Sequence, residues 1–262
     1  MQIITAGTLK GGTGKTATVF NLAGLLAENE PVLLIDCDPQ TNLSLNCGVD
    51  ITDARIKTVT EIFESGADAE ELIFRRPVKE LPNLDIIPSG ILLAAAELKL
   101  MSVTGRESIL KYYLQDNAAV FADYKYVMID TSPSMSVINQ NAFFAADAII
   151  LVSDISLNGI QGAELFIELW KTARRGLRKE DNVRALILNN FDRRIKLSSE
   201  MTEYASENES TKDILINTVI PASVQVKNCE IEHLPINLLH KNTPVHKAYE
   251  SVAAELKERG IL

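Results

Sequence analysis

Cysteine, long apolar runs and excess positive charge are what this 262-residue sequence has least of. Cys37, Cys47 and Cys229 are too few and too scattered for a disulfide framework or a zinc site. They are expected as packing thiols in a reducing cytoplasm. No apolar stretch approaches the ~20 residues that cross a bilayer, and Met1 leads into Gln2-Ile3-Ile4 without the basic segment of a signal peptide. Lys and Arg number 26 against 35 Asp and Glu, a net charge of −9, which argues against a simple basic nucleic-acid binder. A local basic patch stays open, because screening limits a surface charge to a reach of roughly 10 Å. His233, His240 and His246 do not fall at ligand spacing and are expected on loops and the surface. No repeat, low-complexity tract or linker interrupts the chain.

What is present is an ordinary soluble balance, 46% hydrophobic and 23% charged, over a length that suits a single α/β domain of about 250 residues. Short Val/Ile-rich runs, apolar throughout, alternate with helical patterns. Strands are predicted at 3–6, 31–36, 84–87, 126–130, 148–152, 185–188 and 214–220. Helices are predicted notably at 16–28, 91–100, 107–114, 162–174 and 245–259, with Trp170 in the core. Residues 50–80, polar and aperiodic, read as surface loops and short helices. Runs apolar on both faces suit buried strands. Their alternation with helices implies right-handed crossovers and a mostly parallel, twisted sheet covered by helices on both faces.

The segment Lys10-Gly11-Gly12-Thr13-Gly14-Lys15-Thr16-Ala17 lies between the first strand and the first helix, where a P-loop belongs. Its glycines let backbone N–H groups turn inward as an anion nest, and the helix N-terminus adds partial positive charge. Lys15 is placed to reach the β- and γ-phosphates of ATP, and the Thr16 hydroxyl to ligate Mg²⁺. The first glycine of the ordinary pattern is replaced by Leu9, and Lys10 precedes two glycines. That is the deviant Walker A form. Asp36 and Asp38 follow the second strand and Asp130 ends the fourth, at the sheet edge where ligands of open α/β sheets bind. Asp130 suits holding Mg²⁺ through water, Asp38 orienting the attacking water, and Asp36 supporting the Thr16–Mg²⁺ corner from deeper in.

The chain resembles the ParA/MinD deviant Walker A family, and within it the ParA/Soj-type DNA-segregation ATPases. The stretch from Leu33 to Asn42 is similar to the family's "LLvDxDPQgN". Ile87-Pro88-Ser89 with Leu93 to Glu97, Gly105-Arg106-Glu107 with Leu110, Ile129 to Ser134 with Asn141-Ala142, and Ile220-Pro221 resemble further family segments in the same order. So does the C-terminal pattern around Ala248-Tyr249 and Ala253 to Leu256.

The resemblance implies one ATPase domain over residues 1–262, with the first strand near Met1 and no separate helix-turn-helix region before it. It implies an ATP-dependent homodimer in which Lys10 of each subunit reaches the other's nucleotide. Such a dimer binds non-specific DNA on the nucleoid in the cytoplasm. A ParB-like centromere-binding partner stimulates weak hydrolysis and releases it. Asn189 and Pro221 fall where the family contacts adenine.

A DNA surface is expected at Arg194, in Asp192-Arg193-Arg194, with Lys196 and Lys227 nearby. The family's second arginine, after Ile-Pro, is here Ala222. The basic run from Lys171 to Lys179 reads as a solvated helix end whose dipole favours cations. The same scaffold serves positioners of non-DNA cargo, MinD-like membrane cyclers and metabolic P-loop enzymes. The terminal helix mixes Glu250, Glu255 and Glu258 with Lys257 and Arg259, unlike a basic membrane-binding helix.

Overall fold

A computed structural model describes residues 1–64, 66–192 and 194–262. In chain order the strands are β1 (Gln2–Gly7), β2 (Val32–Cys37), β3 (Phe74–Arg75), β4 (Leu84–Ile87), β5 (Tyr126–Thr131), β6 (Ala148–Asp154), β7 (Val183–Phe191) and β8 (Leu215–Pro221). The helices are α1 (Lys15–Ala27), α2 (Asn42–Asn46), α3 (Thr60–Glu64), α4 (Ala69–Leu72), α5 (Leu93–Leu100), α6 (Ile109–Asp116), α7 (Ala118–Phe121), α8 (Val137–Ala145), α9 (Leu157–Gly176), α10 (Lys196–Glu207), α11 (Val224–Glu232), α12 (Ile236–Leu239) and α13 (Pro244–Glu258).

The strands form one sheet in the order β3-β4-β2-β5-β1-β6-β7-β8, parallel except for β3 against β4. Successive side chains on a strand point to opposite faces, and the core divides accordingly. Val32 and Leu34, Tyr126 and Met128, Ala148 and Ile150, and Ala185 and Ile187 pack on one face with Phe20 and Leu22 of α1 and Tyr249, Val252 and Leu256 of α13. Leu33 and Ile35, with Val127 and Ile129, meet α5, α6 and α8 on the other face. Ile149, Leu151, Leu186 and Leu188 continue that face under α9. Each Val, Leu, Ile, Phe or Met among them that is fully buried contributes roughly 1.5–3 kcal/mol.

The seven predicted strands are all present, at nearly the predicted residues. Residues 50–80 hold short helices as expected, but also the two-residue strand β3. Its Arg75 donates to Asp85 Oδ2 at 2.9 Å and to Tyr124 Oη at 2.7 Å, which ties the sheet edge down. Trp170 is fully buried against Phe143, and its Nε1 donates to Asn182 Oδ1 at 2.8 Å. Cys37, Cys47 and Cys229 are buried free thiols.

The expectation for His246 was wrong. It is 5% exposed in the first turn of α13, on the face that carries Tyr249 and Ala253. The apolar side of α13 is packed against the sheet and α1, so this helix has no free apolar face to lay on a membrane. Among the described residues no helix is long and apolar enough to cross one.

α1 is also clamped from behind. Asn21 Oδ1 accepts from Ile236 N at 2.7 Å, and Asn237 Nδ2 donates to Gly24 O at 3.1 Å. A Cβ on Gly24 would lie 2.5 Å from Pro235 Cβ, so only glycine lets the two segments approach this closely.

Candidate nucleotide-binding site

β1 ends at Gly7 and α1 begins at Lys15, so residues 8–14 form a loop at the carboxyl edge of the sheet. Gly12 and Gly14 have φ of +77° and +84°, a left-handed conformation costly for other residues. With Gly14 as N-cap, no side chain caps α1 and its first turn carries no acidic residue. Ser136, Ser156, Ser223 and Thr243, by contrast, cap α8, α9, α11 and α13. The opening N–H groups of α1 thus face a cleft with no protein anion on them, the condition for phosphate binding. Thr13 Oγ1 is buried there without a hydrogen-bond partner.

The cleft has a volume of about 430 Å³ and is lined by every predicted loop residue from Lys10 to Ala17 and by Asp38. Beneath it lies Asp130, fully buried. Its Oδ1 accepts from Lys15 Nζ at 2.5 Å and its Oδ2 from Thr16 Oγ1 at 2.7 Å. Asp36 is its register partner across β2 and β5 and is equally buried. Asp36 Oδ2 accepts from Ser44 N and Oγ at 2.9 and 2.7 Å, and Oδ1 from Asp38 N at 3.1 Å. Asp36 therefore shapes the Asp38 loop from below. Burial, helped by Asp130, pushes the Asp36 carboxyl up to about 7 against the lowering effect of Ser44. Burial also raises Asp38, opposed by the Gln40 N–H that it accepts at 2.9 Å and by Lys15.

The residues fit ATP and Mg²⁺. Among the described residues no group of three or more His, Cys, Asp or Glu could hold a metal by itself. Mg²⁺ does not need one, since it keeps waters and takes one or two protein oxygens plus substrate phosphates. Thr16 Oγ1 and Asp130 Oδ2 supply such hard oxygens.

None of the five predicted adenine- and DNA-contact positions lies in the cleft lining. Asn189, 5% exposed, donates from Nδ2 to Thr13 O at 2.8 Å, so its amide props the phosphate loop. Pro221 lines a different cavity of about 640 Å³ with Ala222, Asp192 and Arg194. Arg194, its side chain 89% exposed, is held by Asp192 at 2.6 Å and 2.9 Å. Lys196, 92% exposed, pairs with Glu200 at 3.2 Å; Lys227 is exposed on α11. Arg193 lies outside the described residues. In the basic run, Arg174 pairs with Asp181 and Lys179 donates to Ala146 O, as suits a helix end.

Sequence reasoning missed the cleft residues Thr8, Gln40, Asn42, Asn46, Pro133 and Glu230 as site residues, and the pairing of Lys10 with Asp154 and Ser156. Gln40, Asn42 and Pro133 lie within the segments that carry the family resemblance; Asn46 and Glu230 carry no local signal.

A parallel sheet with a glycine loop, an uncapped helix start and a lysine–threonine–aspartate corner at its carboxyl edge defines a P-loop nucleotide hydrolase. A family model described as AAA domain matches residues 1–183. The sporulation initiation inhibitor protein Soj of Bacillus subtilis is 30% identical over 260 residues, covering 99% of both chains. The chromosome partitioning protein ParA of Caulobacter vibrioides is 30% identical over 262 residues, covering 99% of this chain and 95% of its own. An ATP complex of Cyanothece McdA superposes with a TM-score of 0.85 over 98% of this chain and 96% of that one, at 23% identity, a likeness of fold. The chain belongs to the Soj/ParA family of chromosome-partitioning ATPases.

Proposed function

We propose that this chain is an ATP-switched homodimer for plasmid or chromosome partition. In this reading it binds non-specific DNA on the nucleoid when ATP-bound, and releases it after weak hydrolysis stimulated by a ParB-like centromere-binding partner. The observation that carries the reading is the convergence of Lys15 and Thr16 on Asp130 beneath a cleft that Asp38 lines. Full-length similarity to partition proteins supports the same reading.

ATP phosphates enter the nest at the start of α1 and replace Asp130 as the partner of Lys15. Thr16 and, through water, Asp130 would hold Mg²⁺, which would supply charge neutralisation for the phosphates. Asp38 orients the attacking water. Burial raises its carboxyl and makes it a better proton acceptor than an exposed aspartate. Asp36 keeps that loop in place through the Asp38 N–H. Lys10 of each subunit contacts the other's phosphates, so ATP joins the two faces.

Arg194, Lys196 and Lys227 form the DNA surface of this reading. Arg194 and Lys196 rest on their own carboxylates, so DNA phosphates must displace Asp192 and Glu200. Non-specific duplex binding, measured with ATP, ADP and no nucleotide over a salt series, tests the proposal. Binding only with ATP, with a salt slope that falls by about two per dimer on Arg194→Ala, is the expected result. No binding in any state would remove the DNA track and give weight to Ala222 as a loss.

A further inference from the structure

Two neighbouring strand ends hold the phosphate loop from one side. Asp154 of β6 and Asn189 of β7 are register partners. Asn189 grips Thr13 O, while Asp154 Oδ2 accepts from Lys10 Nζ at 2.6 Å. Lys10 Nζ also donates to Ser156 Oγ at 3.0 Å. That hydroxyl donates to Asp154 Oδ1 at 3.2 Å and accepts from Gly159 N at 3.0 Å, which caps α9. The carboxylate has little room to follow a departing lysine, since a Cβ on Gly159 would lie 2.2 Å from Asp154 Oδ1. The side chains of Lys10 and Asp154 are 34% and 24% exposed, so solvent screens the pair only in part.

Resting on the reading that Lys10 serves the partner subunit's nucleotide, we propose that Asp154, with Ser156, is a positioning residue that stores Lys10 inside its own subunit. One ammonium cannot stay on Asp154 and also extend to a phosphate across an interface. The stored state therefore opposes dimerisation, and the ATP-bound faces must withdraw Lys10 from Asp154 as they meet. Ser156 couples the store to α9, because its hydroxyl serves both Lys10 and the helix cap. A partly exposed, charge-assisted pair of this kind is worth about threefold in an equilibrium. A dimer opens two of them, so the association constant carries the square, about tenfold.

The test is sedimentation of the full chain with a non-hydrolysable ATP analogue, comparing wild type, Asp154→Asn, Lys10→Ala and the double variant. Asp154→Asn is expected to tighten the dimer about tenfold, and to do nothing in the Lys10→Ala background. Equal shifts in both backgrounds, or a weaker dimer in Asp154→Asn, overturn the proposal.

Nucleotide-free acylation by an N-hydroxysuccinimide ester, read by mass spectrometry with Lys227 as the internal standard, probes the store without dimerisation. Lys10 should label about threefold faster in Asp154→Asn, or in Asp154→Ser should the first variant not fold. An unchanged rate overturns the store. Faster labelling with no analogue-dependent dimer in wild type, or with a Lys10→Ala dimer as tight as wild type, keeps the store and refutes the role of Lys10 across the interface.

Discussion

Replacing Lys15 by Met tests the corner on which the nucleotide site is built, through stability rather than activity. Met keeps most of the volume of the lysine stem but removes the cation from Asp130, which is fully buried with Asp36 beside it. Breaking a buried pair by removing one partner costs about 3–5 kcal/mol. At roughly 2.1 cal/mol/K per residue over 262 residues, a loss of about 4 kcal/mol lowers Tm by about 7 °C. Calorimetry of the nucleotide-free protein measures this. Lys15→Met/Asp130→Asn should recover most of the loss, because the double variant strands no buried charge. An unchanged Tm in Lys15→Met, or no recovery in the double variant, would refute the reasoning.

Asp38→Ala is expected to leave nucleotide-analogue affinity intact and lower turnover by ~10² or more; wild-type hydrolysis would remove Asp38 from the mechanism. Gly14→Ala places a Cβ 2.0 Å from Asn189 Nδ2 at a φ of +84°. The left-handed conformation costs roughly 1–2 kcal/mol and the lost bond to Thr13 O about 1 kcal/mol, so denaturant unfolding should show a loss of about 2–3 kcal/mol. Carboxyl NMR of the nucleotide-free protein should place the midpoint of Asp36 at about 7. Because the fold holds that proton better than the unfolded chain does, Asp36 contributes stability that is lost as pH rises from roughly 4 to 7. A midpoint near 4 would mean that burial and Asp130 do not govern it.

The central parallel strands were legible because they are apolar on both faces, and the phosphate loop because its glycines and lysines are contiguous. β3 was not, since two residues carry no period and its place is fixed by Arg75 reaching Asp85 and Tyr124. His246 could have been found: it shares the helical spacing of Tyr249 and Ala253, and its residue type outweighed its position. The hold of Asn189 on Thr13 spans 176 residues, and that of Asp154 on Lys10 spans 144. Such pairings follow from which strand ends lie side by side, and no window of sequence contains that.

The clamp behind α1 bears on where this protein can be cut. The AAA-domain match stops at residue 183, yet the helix that starts the phosphate site is braced by Pro235, Ile236 and Asn237 and covered by α13. A fragment ending at 183 would lack nearly all of β7 and all of β8. It would expose the edge of β6 as a template for aggregation and leave Phe20 and Leu22 without Tyr249 and Leu256. The matched segment is thus not a unit of folding, and a fragment, fusion or permutation that keeps the phosphate site must carry the C-terminal third with it.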